Sequence, residues 1–351
     1  MRISYKSVIF YKLFYSNEGD TMKFGIEFVP QRQLEKIVES CKLAEEKGFH
    51  YVWITDHYNN RDVYVTLALI ALNTNSIKIG TGVTNPYTRN IAQTASSIAT
   101  IDELSNGRAV LGIGAGDRVT LDAINVERVK PVKAIRESVI ILRQLWTGKS
   151  VTFEGEVIKL KGARLSFKPK AEIPVYIGAQ GSLMLRLAGE IGNGVLINAS
   201  HPKDFEFAMK QIKIGAKRGN RDIKEIDVAA YTAFSVDEDP KEAIKAVKIV
   251  VAFIVAGAPN VVLERHDIKV EDANVIREAI SKGDFKTASK SVTNEMIEAF
   301  SITGTPEQCI SRIEELLKTS VTQVVIGSPI GPKKKKSITL IGEKIIPSFS
   351  A

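Results

Sequence analysis

Residues 22–55, MKFGIEFVPQRQLEKIVESCKLAEEKGFHYVWIT, carry the reading that decides the fold. Residues 23–29 make an apolar run of strand character. In 34–47, Leu34, Ile37, Val38, Cys41 and Ala44 recur at helical spacing until Gly48 stops the helix. Residues 51–55 open a second strand. A strand, an amphipathic helix and another strand in this order imply parallel pairing through a crossover. The first strand closes on Val29-Pro30-Gln31, with none of the glycine-rich turn that a dinucleotide-binding open sheet places there.

The same unit recurs along the chain. Strand-like segments at 77–83, 108–113, 175–178, 195–198, 226–236 and 323–326 alternate with helical patterns at 65–72, 92–104, 131–146, 183–191, 204–217, 240–256 and 338–345. With the first two strands this makes eight strand–helix pairs, which predicts a single (β/α)8 barrel over 22–351. Two stretches break the rhythm. The polar, alternating segment 151–167, with Gly155 and Gly162, predicts a hairpin excursion; the charged helical segment 259–302, near strand seven, is too long for a loop and predicts a helical insertion. Residues 1–21 mix aromatics and lysines without a period and are expected to be an extension reflecting an upstream start-site assignment, with Met22 the functional beginning.

Composition limits the function. The chain is 44% hydrophobic and 25% charged, enough for a sizeable core, and its longest apolar run, 249–258, is too short to cross a bilayer. Two cysteines in 351 residues exclude a disulfide framework and point to a reducing, cytoplasmic compartment. Four histidines without ligand spacing give no metal site. Residues 333–336, four lysines, supply half of the net charge of +8. They read as a solvated patch, and the remaining excess suits anionic small molecules better than nucleic acid. The apolar helix at 243–256 suggests self-association into a dimer or tetramer.

A parallel barrel gathers its chemistry at the C-terminal ends of its strands. There the sequence places Glu27, Asp56-His57, Gly80-Thr81-Gly82-Val83-Thr84-Asn85, Gly112-Ile113-Gly114-Ala115-Gly116-Asp117, Gly178-Ala179-Gln180-Gly181-Ser182 and Asn198. Glu27 interrupts an apolar strand on the face of Gly25 and Val29, where desolvation raises a carboxyl's pKa and keeps a proton on it near neutrality. A glutamate paired with a cation at the rim is the alternative. Asp117 is either a second acid or the cap of the next segment. Gly178 to Ser182 precede a helix whose free amides suit an anion, although Ser182 also fits an ordinary N-cap. Thr147-Gly148-Lys149-Ser150 imitates the end of a P-loop, but Arg143 occupies the required earlier glycine position. Asp56-His57 lacks a nucleophile at a matching strand end.

Taken in order, Lys23-Phe-Gly-Ile-Glu27-Phe, Thr55-Asp56-His57, Gly80-Thr-Gly-Val-Thr-Asn-Pro86, Gly112-Ile-Gly-Ala-Gly-Asp117 and Gly178-Ala-Gln-Gly-Ser182 resemble the bacterial luciferase-like barrels. Within them the similarity is to the methylenetetrahydromethanopterin reductases of methanogenic archaea, which use the deazaflavin coenzyme F420. The resemblance implies a non-prolyl cis peptide at Gly82-Val83 beneath the deazaflavin ring. It implies contacts to that ring from Asp56, His57 and Asn85, a phosphate at Gly178, Ala179, Gln180, Gly181 and Ser182, and catalytic roles near the pterin for Glu27 and Asp117. The implied reaction is hydride transfer from reduced F420 to 5,10-methylenetetrahydromethanopterin, with Glu27 as proton donor. Another F420- or FMN-dependent oxidoreductase of the same barrel, acting on alcohols or sugar phosphates or as a monooxygenase, and a non-catalytic flavin-binding barrel are the alternatives.

Overall fold

The computed structural model describes residues 22–350, so the expected extension at 1–21 lies outside the described residues. Eight parallel strands carry the architecture: β1 (Lys23–Phe28), β2 (Tyr51–Ile54), β3 (Lys78–Thr81), β4 (Ala109–Ile113), β5 (Val175–Gly178), β6 (Gly194–Asn198), β7 (Asp227–Val236) and β8 (Gln323–Ile330). Each pairs with the next in the chain, and β8 with β1, so the sheet closes into a barrel.

Side-chain parity explains why β1 forms and which way it faces. Phe24, Ile26 and Phe28 are buried outward against the helical layer, whereas Gly25 and Glu27 face the axis, level with Tyr51 and Trp53 of β2. The axis is filled by aromatics set against glycines. Tyr51 and Trp53 stack with ring centroids 5.7 Å apart, and Tyr176 meets Trp53 edge-on at 5.2 Å. Gly194 makes room for Tyr176, because a Cβ there would lie 2.3 Å from its ring. Each buried aromatic contributes about 2 to 3 kcal/mol.

Below this layer a polar knot seals the barrel's N-terminal end. The Asp227 carboxylate accepts from Tyr176 at 2.6 Å, from Gln323 at 3.2 Å and from the Thr322 hydroxyl, and pairs with Lys23 at 3.2 Å. Trp53 donates its indole N–H to Gln323 at 3.1 Å. The interior is therefore plugged below and open only above.

The excursion at 151–167 contains an antiparallel hairpin, Val151–Glu154 with Lys159–Ala163. Its turn is held by Glu137, whose carboxylate accepts the backbone N–H groups of Glu156, Val157 and Ile158 at 2.8 to 3.0 Å. The segment after β7 forms four helices, Asn260–Arg265, Val270–Ser281, Phe285–Lys290 and Asn294–Phe300, then a short strand, Ser301–Gly304, on the edge of β7. These helices bury Val247, Val251, Ala252 and Val255 of the helix Pro240–Gly257 in a second core. The apolar face that suggested self-association is thus covered largely from within the chain. Asp204 clamps the insertion to the barrel, accepting from His266 at 2.9 Å and Arg265 at 2.5 Å.

Elsewhere the departures from expectation are local. The last helix runs over Lys334–Leu340, earlier than 338–345, and passes into π and 3-10 turns over Ile341–Ile345 and Ile346–Phe349. β8 continues past Ile326 to Ile330 through a bulge that includes the cis Ser328-Pro329 bond.

Candidate active site

Glu27 stands at the open end of β1, half-buried on the axis side. Its Oε2 accepts the Ser328 backbone N–H at 3.0 Å, and the carboxyl faces the Tyr231 hydroxyl from β7. Burial raises its pKa above the ordinary carboxylate range, outweighing the Ser328 N–H, the Lys334 charge and Tyr231, which all act the other way. Tyr231 is itself pushed well above the usual phenol range by burial and by Glu27, so it stays protonated. Its O–H donates to the Gly82 carbonyl at 3.3 Å.

Gly82-Val83 is a cis peptide, directly after β3. The Val83 side chain rests on two backbone glycines: a Cβ on Gly114 would approach its Cγ2 to 2.8 Å, and one on Gly178 would approach it to 3.3 Å. The glycines that close β4 and β5 therefore serve as a seat for Val83. Beside it, Thr84 donates its hydroxyl proton to Asp56 Oδ2 at 2.7 Å, and burial raises the Asp56 pKa against that bond. Asp56, His57 and Asn85 line one cleft of about 290 Å³, with Tyr58, Arg89 and Leu121 among its other walls. Asn85 is buried, and its carbonyl oxygen accepts from the Tyr87 and Thr88 N–H groups, each at 3.0 Å. Its amide nitrogen makes no hydrogen bond among the described residues.

Gly178 to Ser182 lead from β5 into the helix Ser182–Ile191, which has no side-chain cap at its N-cap, Gly181. Gln180 donates to the Asn198 carbonyl at 3.0 Å, and a Cβ on Gly181 would meet nothing within 4 Å. Uncapped amides thus open onto free space, as an anion site requires. Asp117 stands apart. It is exposed and caps the short helix Arg118–Ala123 by accepting from the Thr120 N–H at 2.9 Å. Among the described residues no three His, Cys, Asp or Glu side chains converge on a metal position, and Cys41 and Cys309 are buried and free.

One partner of the site escaped the sequence reading. Tyr231 lies mid-strand, but it shares the inward parity of Asp227 and Ala229, the signal that could have found it. Thr84, placed by the sequence at the end of strand three without a role, gains one as the partner of Asp56.

An eight-stranded barrel with a cis bulge after β3 and an anion-ready turn after β5 defines a class, and the chain belongs to it: residues 15–323 match the luciferase-like monooxygenase family. Within that family its relatives are specific. It is 57% identical over 326 residues to a 5,10-methylenetetrahydromethanopterin reductase of Methanolobus tindarius, covering 93% of this chain and 100% of the relative. It is 57% identical over 332 residues to the protein of that name from Archaeoglobus fulgidus, with the same coverage. The solved structure of the coenzyme F420-dependent tetrahydromethanopterin reductase from Methanopyrus kandleri superposes with a TM-score of 0.90 at 50% identity, over 94% of this chain and 100% of that one.

Proposed function

We propose that this protein reduces 5,10-methylenetetrahydromethanopterin to the 5-methyl compound with reduced coenzyme F420, and that it runs the reverse reaction as well. The support is the 57% identity to reductases of that name together with a protonatable carboxyl, Glu27, at the mouth. The residues present fit a deazaflavin. The Val83 bulge gives a flat ring a floor, Asp56, His57 and the Asn85 amide give polar contacts along one cleft, and Gly178, Ala179, Gln180, Gly181 and Ser182 offer backbone donors to its phosphate. When bound, the reduced coenzyme supplies hydride.

The chain's own contribution is proton control and orientation. A methylene bridge between two amine nitrogens accepts hydride poorly until one nitrogen is protonated and the ring opens to an iminium cation. Glu27, kept neutral by burial, gives that proton and becomes a carboxylate that the Ser328 N–H and the Lys334 charge then stabilise. Tyr231 fixes the carboxyl against the Gly82 carbonyl. Asp117, exposed and engaged as the cap of the helix Arg118–Ala123, is left out of the proton transfer.

The protein works in the cytoplasm as a homo-oligomer, a dimer or tetramer. No helix among the described residues is long and apolar enough to cross a membrane. The helix Val63–Asn73 bears no charged residue and exposes Val65, Leu69 and Leu72 on one side, a surface suited to a second copy. Light scattering at micromolar concentration tests the assembly, and a monomer refutes it. The decisive functional test is anaerobic: reduced F420 and methylenetetrahydromethanopterin are mixed with the protein while the deazaflavin absorbance is followed. Reoxidation that depends on the pterin is expected; its absence refutes the assignment.

A further inference from the structure

Two cations stand on the rim beside Glu27 without a carboxylate of their own. Arg32 follows β1 and Lys334 follows β8, and these strands are neighbours in the closed barrel, so both side chains reach the same side of the mouth. The lysine run does not behave as one solvated patch. Lys335 pairs with Glu39 at 2.8 Å, and Lys336 pairs with Glu238 at 3.0 Å and Asp237 at 3.3 Å. Lys334 makes no salt bridge or hydrogen bond among the described residues, and neither does Arg32. Lys334 is half-buried, with its ammonium 5.4 Å from the centre of the Phe28 ring.

An ammonium withdrawn from water beside a second cation is unfavourable, and its pKa falls for both reasons, burial first and Arg32 second, with the nearby Glu27 acting the other way. A bound anion reverses that penalty through charge-assisted hydrogen bonds. Position on the barrel identifies the ligand. The uncapped amides after β5 lie across the barrel from β1 and are taken by the coenzyme's phosphate, whereas Arg32 and Lys334 flank Glu27, the group that serves the pterin.

We propose that Arg32 and Lys334 form a second anion site, which holds a phosphate or carboxylate on the tail of the pterin carrier and so selects carriers with an acidic tail. This rests on the reading that Glu27 acts on the pterin. The test is steady-state kinetics of the full-length wild type, Lys334→Gln and Arg32→Gln, with methylenetetrahydromethanopterin and with a methylene-tetrahydropterin cut short of its acidic tail.

Each variant is expected to raise KM for the intact carrier about tenfold, with the F420 KM serving as internal control; Arg32→Gln is expected to match the wild type on the truncated compound, whereas Lys334→Gln, which also removes a charge from beside Glu27, is expected to lose kcat on both compounds but to raise KM only for the intact one. Lys334→Arg is expected to restore most of the loss, which a packing defect would not allow. The gap should narrow as salt rises. An unchanged carrier KM overturns the proposal, and so does a rise confined to F420, which would give the site to the coenzyme. A wild type that turns over no methylene carrier at all refutes the function reading instead. That arm uses the wild type alone, so the two failures are distinguishable.

Discussion

Replacing Glu27 by Gln tests the chemistry with little change of shape. The amide oxygen can still accept the Ser328 N–H, now 3.0 Å from Oε2, so the loop after β8 keeps its anchor. What disappears is the exchangeable proton. General acid catalysis contributes about 10² to 10⁴ in rate, so kcat should fall at least ~100-fold, or ~2.7 kcal/mol of barrier. The proposed coenzyme contacts follow β2, β3 and β5, so F420 affinity should change less than about twofold. Stopped-flow absorbance under anaerobic conditions separates the two quantities. The pH dependence supplies a second signature. A donor must be protonated, so wild-type activity in the methyl-forming direction is lost as pH rises through the elevated Glu27 pKa, while the variant's residual rate lacks that limb. Stability follows the same sign. The folded state holds this proton more tightly than the unfolded chain, so the wild type loses stability as pH rises from the ordinary glutamate value through the raised one, and Glu27→Gln does not. A variant that turns over within threefold of the wild type would remove Glu27 from the mechanism.

Other substitutions probe the scaffold. Gly114→Ala places a Cβ 2.8 Å from Val83 Cγ2; because a β-branched side chain has little rotamer freedom, the bulge should shift at a cost of about 1 to 3 kcal/mol. F420 titration should show weaker binding, with Val83→Ala in the same chain recovering it; unaltered affinity would show that the seat is irrelevant. Asp227→Ala strands the Tyr176 hydroxyl and removes an ion pair with Lys23, so denaturant unfolding should report a loss of about 2 to 4 kcal/mol, and a smaller effect would deny the knot a structural role. His201 is pushed down to about 4 by burial, His266 and Arg312, so the ring stays neutral in the folded protein at pH 5. Stability should then fall as pH drops from about 6.5 towards 4, a loss absent from His201→Asn, which keeps a capping side chain; NMR titration of the ring near pH 6.5 would contradict this.

The sequence made the barrel legible because its signals are local. Alternation in 23–29, helical spacing in 34–47 and glycines at strand ends each follow from nearest neighbours. Glu27 was legible for the same reason, as a charge in an apolar strand. Tyr231 was not, because its meaning depends on Glu27 and Gly82, brought near only by barrel closure. Lys334 was hidden by its own company: four consecutive lysines look alike until packing gives two of them carboxylates and turns one inward. The apolar helix Pro240–Gly257 misled in the opposite sense, since only the fold shows that Val247, Val251 and Val255 face the chain's own insertion.

The knot around Asp227 governs traffic as well as stability. Trp53, Tyr51 and Tyr176 pack above it, so buried rings lie between the knot and the mouth where Glu27 stands. If Glu27 gives up its proton as proposed, the replacement descends by the same doorway that admits coenzyme and carrier. Recharging between turnovers is then tied to product departure, and buffer acids small enough to enter a vacated mouth, but not an occupied one, should be the ones that hasten it.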